Sequence, residues 1–131
     1  MFRILIIEDD PDLADFMAIT LRTAGHIVDV AADGAAAMRA LRGALPDLLI
    51  VDIMLPDGVG LSLCENLRRS AAAGATPLSI IVTSACDEAD ARPLATAVGA
   101  NDFLPKPFSP YQLLLRVHAL LGCGPRRRLA S

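Results

Sequence analysis

Cysteines, long apolar runs and basic residues are all scarce in this sequence, and each shortage excludes a class of protein. The three cysteines, Cys64, Cys86 and Cys123, are far apart and odd in number, which fits neither a disulfide framework nor a paired metal site. No apolar run approaches the roughly 18 residues that a membrane helix needs, and acids interrupt the first run before it could act as a signal peptide. We therefore expect reduced thiols, no membrane partner and a cytoplasmic location.

The charge balance also limits the choice of partners. The chain has 12 Lys and Arg against 15 Asp and Glu, a net charge of -3, so no direct contact with nucleic acid is predicted. A length of 131 residues suits a single domain, expected at residues 1–121. Residues 122–131 include three consecutive arginines and are interpreted as a solvated basic tail, a linker, or a weak contact for an anionic surface.

What the sequence does contain is a regular alternation of short apolar runs and amphipathic stretches. Five helices are predicted between and after five buried strands, which are expected at residues 2–7, 26–31, 48–51, 78–83 and 101–104. Short connections between such elements favour an open parallel sheet with helices on both faces. We predict a flavodoxin-like, doubly wound α/β fold with strand order 2-1-3-4-5.

Three local features carry expectations of their own. Pro93 is unfavourable inside a helix, so the regular part of the fourth helix is expected to begin near Arg92. Arg68 is expected to point outward from the third helix. His26 and His118 have no partner at a useful spacing in the sequence and are interpreted as surface or helix-face residues.

Residues suited to phosphate chemistry follow four of the five predicted strands. Ligands of doubly wound sheets bind beyond the carboxyl ends of the strands, so side chains at these ends should meet. Three carboxylates gathered there would repel one another unless a cation offset them, and Mg²⁺ favours such oxygen ligands. The residues, in chain order, are Glu8, Asp9, Asp52, Thr83, Ser84 and Lys106.

Together these residue types match the requirements of phosphoryl transfer. A hydroxyl and an ammonium group beside a metal-bound carboxylate neutralise a transferring phosphoryl group, which makes Asp52 the predicted nucleophile. Each residue also has an ordinary interpretation: the acids could cap the first helix, the hydroxyls could belong to a turn, and Lys106 could be a solvated charge. Four strand ends that each supply the required type favour the functional interpretation.

At these residues the chain resembles the receiver domains of two-component response regulators, and the resemblance extends from residue 2 to about residue 121. The matching motifs are the acidic pair at 8–9, the Asp52 loop at 52–60, the hydroxyl with Ala85, Gly99-Ala100, and Lys-Pro-Phe at 106–108.

The resemblance implies both a metal and a phosphodonor. Mg²⁺, for which Mn²⁺ can substitute, would be held by Asp9, Asp52 and the backbone carbonyl of Met54, with Glu8 acting mostly through water. A histidine kinase or histidine phosphotransfer protein would supply the phosphoryl group to Asp52, and Lys106 would pair with the phosphoryl oxygens. The peptide bond that follows Lys106 would be cis, which a bond preceding proline tolerates.

The resemblance also implies a conformational switch. Counting back from Lys106 assigns the switch hydroxyl to Ser84, whereas counting forward from Asp52 favours Thr83. We choose Ser84 and keep Thr83 as the alternative, because a small insertion is easily absorbed in the loop after the third helix. Phe103 would be the switch aromatic, with a core aromatic as its other interpretation. Phosphorylation would then change the surface of the fourth helix, fifth strand and fifth helix, through which a homodimer is one expectation.

Two rival functions remain to be weighed. An aspartyl-nucleophile phosphatase needs an acid two residues after the nucleophile, where this chain has Met54. A phosphorylation-independent receiver-like interaction module would not need the complete set of acids and lysine. We therefore expect a regulatory domain rather than an enzyme, with at most self-phosphorylation from small donors and slow self-dephosphorylation. A stand-alone phosphate shuttle and a regulator with an output domain beyond residue 131 both fit the sequence.

Overall fold

The structure is a computed structural model that describes residues 1–71 and 78–122. Five parallel strands form one sheet in the order β2-β1-β3-β4-β5, which confirms the predicted fold class and strand order. All of the predicted tail except Gly122 lies outside the described residues. The elements are β1 (Arg3–Ile7), α1 (Pro11–Thr23), β2 (Ile27–Ala31), α2 (Gly34–Gly43), β3 (Leu48–Asp52), α3 (Gly60–Ala71), β4 (Ser79–Ser84), α4 (Glu88–Ala97), β5 (Asp102–Pro105) and α5 (Pro110–Leu121).

Local capping signals in the sequence start two of the helices. The Asp10 carboxylate accepts the backbone N–H groups of Asp12 and Leu13, and α1 then begins with a proline, which needs no N–H at that position. At α5, Ser109 and Gln112 form a reciprocal capping box. These two helices pack on the same side of the sheet.

The sheet is covered on both faces because alternate residues of each strand point to opposite sides. One cluster, the α1/α5 core, packs Met17 and Val117 against the strand residues Ile50, Ile81 and Leu104. The other, the α2/α3/α4 core, is formed by the intervening strand residues and by the buried sides of the remaining helices. Every residue of β3 and β4 is buried, which explains the continuous apolar runs at residues 48–51 and 80–82.

The prediction for the start of the fourth helix was wrong. α4 begins at Glu88 rather than near Arg92, and Pro93 lies inside it. The lost N–H of Pro93 removes one helical hydrogen bond, but Ala91 and Ala95 are almost completely buried in the α2/α3/α4 core. Packing of these two alanines keeps the first turn of α4 helical. The local effect of proline alone predicted an irregular backbone there.

The outward orientation expected for Arg68 was also wrong. Its guanidinium group folds back over the amino-terminal ends of β4 and β5, where Nε donates to the Gly99 carbonyl at 2.8 Å and Nη2 donates to Asn101 Oδ1 at 2.6 Å. Nη1 donates to the Leu78 carbonyl. The long stem and the five donors of arginine make this reach possible, so Arg68 fastens α3 to two strands.

The described helices include none that is both long and apolar enough to cross a membrane.

Candidate functional site

The predicted acidic cluster forms at the carboxyl edge of the sheet. Glu8 and Asp9 follow β1, and Asp52 ends β3, the neighbouring strand. One carboxylate oxygen from each of the three lies within 4.8 Å of the other two. Glu8 and Asp52 are buried, whereas Asp9 is exposed, so the cluster opens to solvent on the side of Asp9. Three oxygen donors at this spacing could hold a hard divalent cation.

Lys106 reaches this cluster from the end of β5. Its Nζ lies 2.7 Å from Glu8 Oε1 and 2.8 Å from Asp52 Oδ2, and its side chain is only 16% exposed. The backbone N–H of Lys106 donates to the Ser84 carbonyl at 2.9 Å, which fixes the start of this loop against β4. The Lys106–Pro107 peptide bond is cis, as the family resemblance implied. The sequence alternative in which Lys106 is a solvated surface charge is therefore wrong.

The electrostatics of the cluster follow from burial and from this single lysine. Burial raises the pKa of Glu8, although the hydrogen bond from Lys106 opposes that effect. Burial lowers the pKa of Lys106, but hydrogen bonds to Asp52 and Glu8 outweigh it, and the pKa of Lys106 is raised overall. Lys106 therefore stays an ammonium ion. It balances one of the three neighbouring carboxylates, which leaves the cluster short of positive charge.

The loop between β3 and α3 orients the Asp52 side chain. Met54 donates its backbone N–H to Asp52 Oδ1 at 2.8 Å, while the Met54 side chain is 56% exposed. A Cβ atom on Gly60 would lie 2.9 Å from the Asp52 carbonyl oxygen, so a glycine is required where α3 starts beside the end of β3. The carboxylate is therefore held by the lysine on one oxygen and by the loop backbone on the other.

Asp57 is a supporting residue to which the sequence analysis assigned no role beyond its place in the 52–60 loop. Its Oδ2 accepts the backbone N–H of Gly34, the first residue of α2, at 2.8 Å. This bond ties the loop that carries Met54 to the amino end of a neighbouring helix. The two residues are 23 positions apart, and no short-range pattern links them.

The two candidate hydroxyl residues, Ser84 and Thr83, lie on opposite faces of the sheet. Thr83 is in register with Asp52 on one side and with Leu104 of the α1/α5 core on the other. Ser84 shares the α2/α3/α4 face with Phe103, because Val82 is the register partner of Phe103 and Ser84 is two residues beyond it. Both hydroxyl residues are buried, and Ser84 Oγ accepts the Cys86 N–H at 3.0 Å.

Phe103 is fully buried in the α2/α3/α4 core, near Ala91 and Ala95 of α4. This position agrees with the interpretation of Phe103 as a core aromatic. Phe103 and Ser84 lie on the same face of the sheet. A movement of Phe103 would have to displace packed neighbours of α4.

Comparisons with known proteins agree with this geometry. The family model described as the response regulator receiver domain matches residues 4–118. The DNA-binding response regulator MtrA of Mycolicibacterium smegmatis is 40% identical over 119 residues, which cover 91% of this chain and 50% of that protein. The chain spans about half the length of the curated relatives it matches.

Solved structures give the same result at the level of the fold. The crystal structure of a putative response regulator from Chloroflexus aurantiacus superposes with a TM-score of 0.81 at 35% identity, covering 93% of this chain and 98% of that one. The chemotaxis response regulator CheY4 of Vibrio cholerae gives a TM-score of 0.81 at 27% identity, covering 91% and 98%. The chain therefore belongs to the family of response regulator receiver domains, which are regulatory domains of two-component signalling.

Proposed function

We propose that Asp52 is the phosphoacceptor of this chain and that it receives a phosphoryl group from a phosphohistidine on a histidine kinase or histidine phosphotransfer protein. In the transfer, the bond between phosphorus and the histidine nitrogen breaks as a bond forms between phosphorus and an Asp52 carboxylate oxygen, which gives an acyl phosphate. The observation that carries the proposal is the contact of Asp52 Oδ2 with Lys106 Nζ at 2.8 Å inside an acidic cluster.

The donor set of this cluster fits Mg²⁺, with Mn²⁺ as a substitute. Asp9, Asp52 and the Met54 carbonyl would hold the ion, and Glu8 would act mostly through water. The fit is supported by the three carboxylate oxygens within 4.8 Å of one another and by the exposure of Asp9, which opens the cluster to solvent. When bound, the ion supplies charge neutralisation for the phosphoryl oxygens.

Lys106 supplies the second positive charge at the reaction site. Because its ammonium group already contacts Asp52 and Glu8, it is positioned to donate to a phosphoryl oxygen once Asp52 carries the group. The Met54 N–H keeps Asp52 Oδ1 in a fixed orientation during the transfer. The position two residues after Asp52, where an aspartyl-nucleophile phosphatase needs an acid, holds Met54, which favours a phosphoacceptor over a phosphatase.

The proposal includes a switch from the site to the outer surface. Ser84 would move toward the phosphoryl group, and Phe103 would fill the space on the shared face of the sheet. The affected region is the α4–β5–α5 surface, which we define by the exposed side chains of Leu94, Tyr111 and Leu115. Exposed apolar side chains on both helices favour a homodimer or a contact with an output domain as the way the signal is transmitted.

The choice of hydroxyl can be tested with two matched variants. Ser84→Ala should still be phosphorylated but should lose the change in NMR shifts on the α4–β5–α5 surface that a phosphate mimic causes. Thr83→Val should keep that change, because Thr83 lies on the α1/α5 side. The reverse result would transfer the switch role to Thr83.

The proposal also covers the domain organisation and the location of the protein. Curated relatives of about twice the length support an output domain beyond residue 131, although a stand-alone shuttle would use the same site. We propose that residues 1–121 form the receiver unit, that residues 122–131 form a tail or linker, and that the unit works in the cytoplasm without touching nucleic acid itself.

Intact mass after incubation with acetyl phosphate and Mg²⁺ tests the acceptor. The native chain should gain the mass of one phosphoryl group, and Asp52→Asn should not. Asp57→Asn is the matched control, because it removes a carboxylate from the same loop and should leave the adduct in place. Absence of an adduct would favour a phosphorylation-independent interaction module, while rapid hydrolysis of unrelated phosphate esters would favour a phosphatase.

A further inference from the structure

A second group of ligand-type side chains lies at the opposite edge of the sheet. His26 precedes β2 and His118 lies in the last turn of α5, and their Nε2 atoms are 3.2 Å apart. Folding brings together two residues that are 92 positions apart in the chain, a contact that sequence spacing did not indicate. The interpretation of His118 as a surface residue on a helix is confirmed. The pair lies at the amino ends of the strands, away from Asp52.

The surroundings of the pair leave one histidine accessible and one sheltered. His118 is exposed, whereas His26 is half-buried beside the Phe2 ring, with ring centroids 5.9 Å apart. The Phe2 backbone N–H donates to His26 Nδ1 at 3.4 Å. Burial, together with the nearby His118, lowers the pKa of His26.

The separation of the two nitrogens matches shared metal coordination. Zn–N distances of about 2.0–2.1 Å at a tetrahedral angle put two ligating nitrogens about 3.3 Å apart. Neutral imidazole is a preferred ligand of Zn²⁺, Ni²⁺ and Cu²⁺. Two imidazole nitrogens at 3.2 Å can therefore share either a proton or a metal ion, and the exposure of His118 leaves room for water to complete a coordination shell.

We propose that His26 and His118 form a site for one divalent transition-metal ion of the zinc type, bound through Nε2 of both rings. Coordination through Nε2 requires the proton of His26 to sit on Nδ1, so the Phe2 N–H loses its acceptor. That contact, at 3.4 Å, is long for a hydrogen bond and inexpensive to give up. The bound ion would connect the last turn of α5 to the start of β2.

Titration with Zn²⁺ in a calorimeter tests the site. The chain used should carry Cys86→Ser and Cys123→Ser, which remove thiols that bind zinc, and excess Mg²⁺ should be present to compete for the acidic cluster. A single site is expected, and loss of one ligand in His118→Gln should weaken binding by at least roughly tenfold, since even outer-shell changes cost about that much. His26→Gln should have the same effect.

Two controls distinguish this site from the acidic cluster and from the proposed function. Asp9→Asn should leave the zinc affinity unchanged, and Asp52→Asn should keep it while abolishing phosphorylation. In NMR spectra, zinc should shift both imidazoles and the Phe2 amide but not the Met54 amide. Because His118 is exposed, His118→Gln is expected to fold.

Two results would overturn the proposal. Unchanged zinc affinity in His118→Gln would locate the binding elsewhere, and an undisturbed Phe2 amide at saturating zinc would leave a proton-sharing histidine pair with no metal.

Discussion

The two edges of the sheet are built on different principles. At the carboxyl edge, successive strand ends deliver charged side chains to one place. One oxygen of each of three carboxylates lies within 4.8 Å of the others, and Lys106 contacts Glu8 and Asp52. At the amino edge, long side chains close the fold over backbone groups: Arg68 binds two carbonyls and Asn101, and His26 meets His118. The first edge concentrates charge for chemistry, while the second satisfies polar groups and keeps the strands together.

The largest effect is expected for Lys106, whose ammonium group contacts both Glu8 and Asp52 at the carboxyl edge. Lys106→Met should destabilise the chain by about 3 kcal/mol without divalent metal, because it leaves Glu8 and Asp52 buried beside each other without a cation. Chemical denaturation with and without Mg²⁺ measures this, and Mg²⁺ should recover part of the loss. Equal stability of the variant and the native chain would show that the lysine does not balance the carboxylates.

At the amino edge, the expected loss is somewhat smaller and should leave phosphorylation intact. Arg68→Met removes donors from the carbonyls of Gly99 and Leu78 and should cost about 2 kcal/mol. Arg69→Met is the matched control, since Arg69 is exposed and should change stability by less than about 0.5 kcal/mol. Urea denaturation of both variants measures the two losses in the free energy of unfolding. Similar losses in the two would contradict the structural role of Arg68.

Asp57 supports the carboxyl edge indirectly, so its removal should have a moderate effect. Asp57→Ala leaves the Gly34 N–H without its carboxylate acceptor and should cost about 1 kcal/mol. The loosened loop should also slow phosphorylation of Asp52 by acetyl phosphate, which a time course of intact mass would record. Asp57→Asn keeps an acceptor oxygen and should lie close to the native chain. A normal rate in Asp57→Ala would show that the loop needs no anchor at α2.

The smallest effect at neutral pH concerns Cys64, which lies between the two edges. Burial raises the pKa of the Cys64 thiol from 9.0 to about 12. The folded state therefore binds this proton more tightly than the unfolded state, so stability should fall as pH rises from 9.0 towards 12.

The same burial predicts the pattern of chemical labelling. In the native chain near pH 8, iodoacetamide should modify the exposed Cys86, while Cys64 should react only after unfolding. Rapid native labelling of Cys64 would contradict its assignment to the core. Parallel denaturation of Cys64→Ala, in which the slope above pH 9.0 should disappear, separates this thiol from other groups.

The contrast between the edges also explains how much the sequence could predict. Glu8 and Asp52 directly follow apolar runs, and Asp9 follows Glu8, so a strand prediction and a parallel sheet bring the three acids together. Helix starts with a local cap, such as Ser109, were predictable for the same reason. In these cases the signal lies within a few residues of the feature.

Contacts that depend on distant partners gave no such signal. Arg68 binds a carbonyl 31 positions away, and the two histidines are 92 positions apart. The start of α4 was mispredicted because burial of Ala91 outweighs the local effect of Pro93, and burial depends on the whole sheet. Contacts between residues that are distant in the sequence can be identified only when the folded structure is known.

Locating the phosphoryl group in the chain tests the central claim most directly. After incubation with acetyl phosphate and Mg²⁺, borohydride reduction converts an aspartyl phosphate to homoserine, which peptide mass mapping can assign to a position. We predict homoserine at position 52 alone. Homoserine at position 9 or 57, or none at any position in a folded chain, would contradict the assignment of Asp52 as the phosphoacceptor.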